Sequence, residues 1–167
     1  MPYKPIIVAA WLLLALPATA HAFADCSAPP APGVDWSRCF HEESSFAGAD
    51  LTNARLTGTR LQRANLEGAD LSEANAQGAK FVSAILKNAQ LIGANLREAD
   101  FTRANLEGAD LSNANLRRTR FFRANLRGAN LSAAKLDQTD LLNADISGAT
   151  WTDGARICAE GSIGRCK

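Results

Sequence analysis

Four cysteines, one histidine outside the N-terminal apolar stretch and a regular series of Asn and Asp residues are the groups in this 167-residue chain that could do chemistry. Cys26 and Cys39 lie close together near one end, and Cys158 and Cys166 near the other. An even cysteine count in an exported chain reads as disulfides, which oxidising compartments preserve. Four cysteines allow three pairings; the expected one joins neighbours, Cys26–Cys39 and Cys158–Cys166. Zinc is the competing reading, but the spacing fits no standard finger and His41 is the one imidazole beyond the leader. His41 has no second His and no Ser or Cys nucleophile beside it, and no Gly-rich phosphate loop occurs. The residues imply no enzyme, no metal and no cofactor.

The leader comes from residues 1–24. Lys4 gives a thin positive start, Ile6 to Leu16 an apolar run, and small residues follow Pro17. Cleavage is expected after Ala24, or after Ala22, which places the mature chain in the periplasm or outside the cell. The apolar run is too short for a confident membrane span. Removing Lys4 leaves 17 basic and 17 acidic residues, a neutral mature chain.

The elements that position everything else come from spacing. Ala (32 residues) and Leu (20 residues) make up about a third of the chain, which first suggests helices. Every fifth residue from Phe46 to Trp151 is apolar, 22 positions without a polar one. Two residues before each stands a small residue: 18 Ala, three Thr (Thr59, Thr119, Thr139) and Ser44. The residue between is Asn or Asp in 13 of the 22. A period of five smears a stripe around a helix and alternates faces on a flat strand. A chain that turns a corner once per repeat instead points every Leu and Ala inward. Fixed short periods mark solenoids, so the fold class is all-β. The segment Arg63–Ser72 recurs letter for letter at Arg103–Ser112, and Phe81, Phe101 and Phe121 recur every 20 residues. Four pentapeptides per coil, a square turn, account for both.

The motif Ala-(Asn/Asp)-Leu-x-x over residues 44–153 resembles the pentapeptide-repeat proteins. The resemblance implies a right-handed quadrilateral β-helix (a β-solenoid) with capped ends, Leu or Phe at the interior centre and Ala at the tight inner corner. Twenty-two repeats make about 5.5 coils, about 26 Å long at the strand spacing of ~4.8 Å. Ala76 is expected to leave a thin spot in the core, and Ile85 breaks the Asn/Asp column. The division expected is leader 1–24, N-terminal cap 25–43, solenoid 44–153 and C-terminal cap 154–167, with Trp36 and Trp151 as lids.

Outward residues then stack in columns 20 apart. One holds Gln62, Val82, Thr102, Phe122 and Leu142; beside it run Arg63, Ser83, Arg103, Arg123 and Asn143. This apolar ribbon beside an arginine ladder is the candidate partner-binding site, with Val82, Phe122, Leu142, Arg63, Arg103 and Arg123 as its residues, because exposed apolar patches and Arg favour interfaces. Asp50, Asp70, Gln90, Asp110 and Asn130 form a second column, read as an Asn/Asp ladder that satisfies turn amides. The basic run Arg117, Arg118, Arg120, Arg123 and Arg127 spreads over several faces without aromatic stacking groups, against nucleic-acid binding.

Two functions fit these residues. One is an exported, non-enzymatic structural or protein-interaction scaffold of the cell envelope, with an unidentified protein partner or a homodimer. The alternative is a DNA mimic that binds a topoisomerase, as some members of the resembled family do; the leader and the neutral charge disfavour it. A binder of envelope polysaccharide ranks lower, since few aromatics are available for sugar stacking.

Overall fold

The structure, a computed structural model, describes residues 24–167; residues 1–23 of the expected leader, with the Ala22 cleavage site, lie outside them. Parallel bridges join residues 20 apart, beginning with Asp35↔Arg55 and ending with Asn130↔Thr150, and they recur every five residues along the chain. The chain therefore makes four sides per coil. Each side contributes one isolated bridge, so no long regular strand forms among the described residues.

The four sides follow chain order. Side one carries Trp36, Leu56, Ala76, Leu96, Leu116 and Leu136 at its centres. Side two carries His41, Leu61, Phe81, Phe101, Phe121 and Leu141. Side three carries Phe46, Leu66, Leu86, Leu106, Leu126 and Ile146. Side four carries Leu51, Leu71, Leu91, Leu111, Leu131 and Trp151. Most of these centres, and the Ala residues two before them, are fully buried. Phe81, Phe101 and Phe121 stack at 4.6 and 5.2 Å between ring centroids. Ala76 is completely buried, and the next centre along the chain is the larger Phe81.

Hydrogen-bond accounting explains the repeat motif. Each pentapeptide has five amide N–H groups, and a buried or half-buried amide needs a partner. The Leu51 amide donates to the Asp70 carbonyl at 2.7 Å, the Asn53 amide to Ser72 at 2.9 Å, and the Asp70 amide back to Ala49 at 2.9 Å. The Ala54 amide closes a β-turn on the Leu51 carbonyl at 3.0 Å. The fifth amide, on Thr52, has no backbone acceptor; Asp50 Oδ1 takes it at 3.1 Å. The same bond joins the Glu67 amide to Asn65, Ser112 to Asp110 and Ser132 to Asn130. Asn or Asp before the central Leu is thus an acceptor for the one amide the coil leaves over.

The corners demand a left-handed residue. Fifteen non-glycine residues among those described, including Arg63, Arg103, Arg123 and Ala133, hold φ between 56° and 61° at the second turn position. This conformation costs about 1–2 kcal/mol for a residue with a Cβ, and the ladders on both sides of each corner enforce it.

Coil geometry begins before the repeat motif does. Trp36 and His41 occupy centre positions, Cys39 a small-residue position, and Arg38 and Glu43 left-handed corners. The segment expected to be a cap over 25–43 is therefore largely solenoid from Asp35 on, because aromatic and sulfur side chains can fill the inward positions that Leu and Ala fill elsewhere. Trp36 is 1% exposed and lies inside the coil, with Trp36 Nε1 donating to the Ala28 carbonyl at 3.1 Å. Ala24 packs against the core, and the Cys26–Cys39 disulfide (Cα–Cα 5.4 Å) ties its segment down. At the other end the chain returns antiparallel, bridging Thr150↔Ile157 and Asp145↔Ile163. The Cys158–Cys166 disulfide (Cα–Cα 4.9 Å) closes this return, and Trp151 is half-buried against the core. Arg127 locks it from outside, donating to both carboxylate oxygens of Glu160 at 2.9 Å and to Asp145 at 3.1 Å. Among the described residues no helix is long and apolar enough to cross a membrane.

Candidate functional site

The corner after side two builds the ribbon. Its first turn position holds Gln62, Val82, Thr102, Phe122 and Leu142; its second holds Arg63, Ser83, Arg103, Arg123 and Asn143. Backbone bonds knit the two columns together: the amides of Arg63, Ser83, Arg103 and Arg123 donate to the carbonyls of Val82, Thr102, Phe122 and Leu142 at 2.9–3.1 Å. All six expected site residues therefore share one corner. Val82 and Phe122 are half-buried, whereas Leu142 is 61% exposed. The apolar area offered to a partner is accordingly narrower than a fully exposed column would give, because the first turn position leans on its coil neighbours.

The arginines beside it differ in what holds them. Arg63 pairs with Glu43 across one coil. The Arg123 guanidinium lies 5.0 Å from the centroid of the Phe122 ring, a cation–π contact that rigidifies both. Arg103 is exposed and has no ion pair among the described residues.

Side two itself adds a further column: Phe40, Arg60, Lys80, Asp100, Arg120 and Asp140. Phe40 is 67% exposed, with the Arg60 guanidinium 4.6 Å above its ring. It was hidden because residues 25–43 read as a cap; its 20-residue offset from Arg60 is the pattern that reveals it. Arg120 pairs with Asp100 at 3.2 Å. Burial pushes the Asp100 carboxyl up, but hydrogen bonds from the Thr102 hydroxyl and amide, with the charges of Arg120 and Lys80, hold it below the usual carboxylate range.

The remaining candidates resolve into local structure. Asp50, Asp70 and Asp110 accept turn amides, and Asn130 Nδ2 donates to Asp110 Oδ1 at 3.1 Å. Among the described residues no group of three His, Cys, Asp or Glu side chains is placed to hold a metal ion. The basic run diverges: Arg117 pairs with Asp137 at 2.7 Å, Arg118 with Glu98 at 3.7 Å, Arg120 with Asp100, and Arg127 with Asp145 and Glu160. His41 packs between Trp36 (4.3 Å) and Phe46 (5.5 Å), and its Nε2 is buried without a partner. Desolvation holds its pKa below the ordinary histidine value.

Comparison with known proteins agrees with this architecture. A family model described as pentapeptide repeats matches in eight copies over residues 33–63, 49–88, 84–121 and 124–150. No curated protein matches the chain. Among solved structures it is similar to HetL, a pentapeptide repeat protein involved in heterocyst differentiation regulation from the cyanobacterium Nostoc sp. strain PCC 7120, at 30% identity over 74% of this chain and 70% of that one, with a TM-score of 0.50. It is also similar to Rfr23, a pentapeptide repeat protein from the cyanobacterium Cyanothece 51142, at 27% identity over 70% of this chain and 90% of that one, TM-score 0.48. A trypsin-treated form of QnrB1, a plasmid-mediated fluoroquinolone resistance protein, is 18% identical over 71% of this chain and 70% of that one, TM-score 0.50, a likeness of fold alone.

Proposed function

Because the chain belongs to the pentapeptide-repeat family, we propose that it is an exported, non-enzymatic scaffold of the cell envelope that presents a rigid surface to a protein partner. The observation that carries this reading is the ribbon: Phe122, Leu142 and Val82 beside Arg63, Arg103 and Arg123, on a backbone held by hydrogen bonds on both sides. A surface so fixed loses little entropy on binding. The leader features of residues 1–24 and the two paired disulfides support export. The coil is taken as right-handed, as in the family, with about 5.5 turns in the repeat region.

The DNA-mimic alternative rests on a fold likeness to QnrB1 at 18% identity. A cationic ribbon on a neutral chain gives it no support beyond that.

Crosslinking and recovery of partners from the envelope tests the scaffold reading, with a Phe122→Glu, Leu142→Glu variant as the comparison. A partner captured by the natural chain and lost by the variant is the expected result; identical captures, or recovery of the full-length chain in the cytosol with free thiols, would overturn it.

A further inference from the structure

Residues 25–167, with 17 basic and 17 acidic side chains, are electrically two-sided. On side two and its following corner, between Arg60 and Arg123, stand six cations (Arg60, Arg63, Lys80, Arg103, Arg120 and Arg123) against one acid, Asp100. Further acids on this side, Glu42, Glu43 and Asp140, lie at its ends. Side four, across the square coil, carries Asp50, Asp70, Glu73 and Asp110 and no Lys or Arg from Asp50 to Thr152. None of these four acids has an ion pair among the described residues. Asp153, at the end of the side, pairs with Arg156.

Both sides repeat at the same coil spacing, ~4.8 Å. A ladder of cations on one molecule can thus meet a ladder of acids on the next in register when the coil axes lie side by side. The corner before side four sets Gly48, Gly68, Gly108 and Gly128 beside Glu67, Lys87, Glu107 and Arg127, where Lys87 is paired with Glu107 at 3.2 Å and Arg127 with Glu160 at 2.9 Å. The cationic side supplies apolar contact from Phe122 and Val82, and the acidic side from the half-buried Ile92.

We propose that the occupant of the cationic ribbon is the acidic fourth side of a second copy of this chain. The contact is head-to-tail, since each copy offers a donor side and an acceptor side. It does not close on itself, and so it builds lateral rows of solenoids. This inference rests on the reading of the chain as a surface-presenting scaffold and names the partner of its ribbon.

Sedimentation of the purified protein over a range of concentrations tests it. At about 0.01 M salt the average mass is expected to rise with concentration, and at about 1 M salt to fall to the monomer. An Arg103→Glu, Arg123→Glu variant removes one side; Glu is already tolerated at the equivalent corners Glu43, Glu73 and Glu98. An Asp50→Lys, Asp70→Lys variant removes the other, and Asp50→Asn, Asp70→Asn, Asp110→Asn does so while keeping the turn acceptors. Each variant alone is expected to self-associate at least about tenfold more weakly. Arg103→Glu, Arg123→Glu mixed with the Asn variant is expected to give a one-to-one dimer and nothing larger, because only one productive contact remains. Monomers at low salt, association that survives high salt, or undiminished association of either charge variant would overturn the proposal. So would a monomer that instead binds duplex DNA through Arg103 and Arg123. A low-salt monomer that still captures an envelope protein ends this inference and leaves the scaffold reading intact.

Discussion

Thr119 Oγ1 donates a 2.7 Å hydrogen bond to the carbonyl of Leu96, one coil away, although Thr119 stands where the motif asks for Ala. Thr59 does the same to Trp36 at 2.6 Å, and Thr139 to Leu116 at 2.6 Å. The three Thr at the small-residue position fall in one column, and there each hydroxyl finds a carbonyl. Thr119→Val keeps the shape and removes the bond, and is expected to cost about 1–2 kcal/mol in chemical denaturation. Thr119→Ala restores the motif and is expected to cost less than Thr119→Val, since Ala sets no methyl against the Leu96 carbonyl where the hydroxyl donated. No loss in either variant would show that the hydroxyl is not what the column selects.

Left-handed corners give a prediction of opposite signs. Ala133 holds φ 57°, so Ala133→Gly is expected to stabilise by about 1 kcal/mol despite the extra freedom of the unfolded chain. Gly128→Ala, at φ 65° with nothing near the added Cβ, is expected to destabilise by about 1 kcal/mol through strain alone. Gly164→Ala should cost more, because its Cβ would also meet the Leu141 carbonyl oxygen at 3.2 Å. Thermal melts of the three variants check the order.

The aromatic stack is the largest single packing unit inside the coil. Phe101 lies between Phe81 and Phe121, with interplanar angles of 1° and 14°, and is fully buried. Phe101→Ala is expected to cost about 3–5 kcal/mol, and Phe101→Leu clearly less, since Leu fills the same centre in other coils. Denaturant midpoints at constant slope would measure both.

His41 makes stability depend on pH. Its folded pKa is lowered by desolvation, so the unfolded chain binds the proton more readily. Its contribution is complete above the unfolded pKa of about 6.5 and is lost as pH falls through the folded value. Between pH about 7 and about 5 the melting temperature is expected to drop, and His41→Leu, the residue found at the next centre on the same side, is expected to remove that part of the drop. An unchanged slope in the variant would place the pH dependence elsewhere.

The C-terminal return depends on its clamp. Opening the Cys158–Cys166 loop with reductant is expected to lower stability by about 2–3 kcal/mol in the chain-entropy view. Hydrogen exchange should then rise first at the amides of Gly148 and Cys158, which bond within the return.

Much of this architecture is written in the order of residues. A period of five with Ala two before each Leu admits only a chain that turns a corner per repeat, and the recurrence at 20 sets four corners per coil. The ribbon columns follow by counting. What counting could not supply were the facts that depend on which groups meet in space. Trp36, His41 and Cys39 do not spell the motif, yet they occupy inward positions because the coil's hydrogen bonds, not the identity of its Leu and Ala, define where inside lies. Asn or Asp recurs before Leu for a reason visible only once four of the five amides of a repeat have found carbonyls. Val82 and Phe122 are half-buried because turn side chains fold down onto their own coil. The separation of charge onto opposite sides is likewise invisible in a net charge of +1: sequence set each charge's column, and only the closing of the square put the columns back to back.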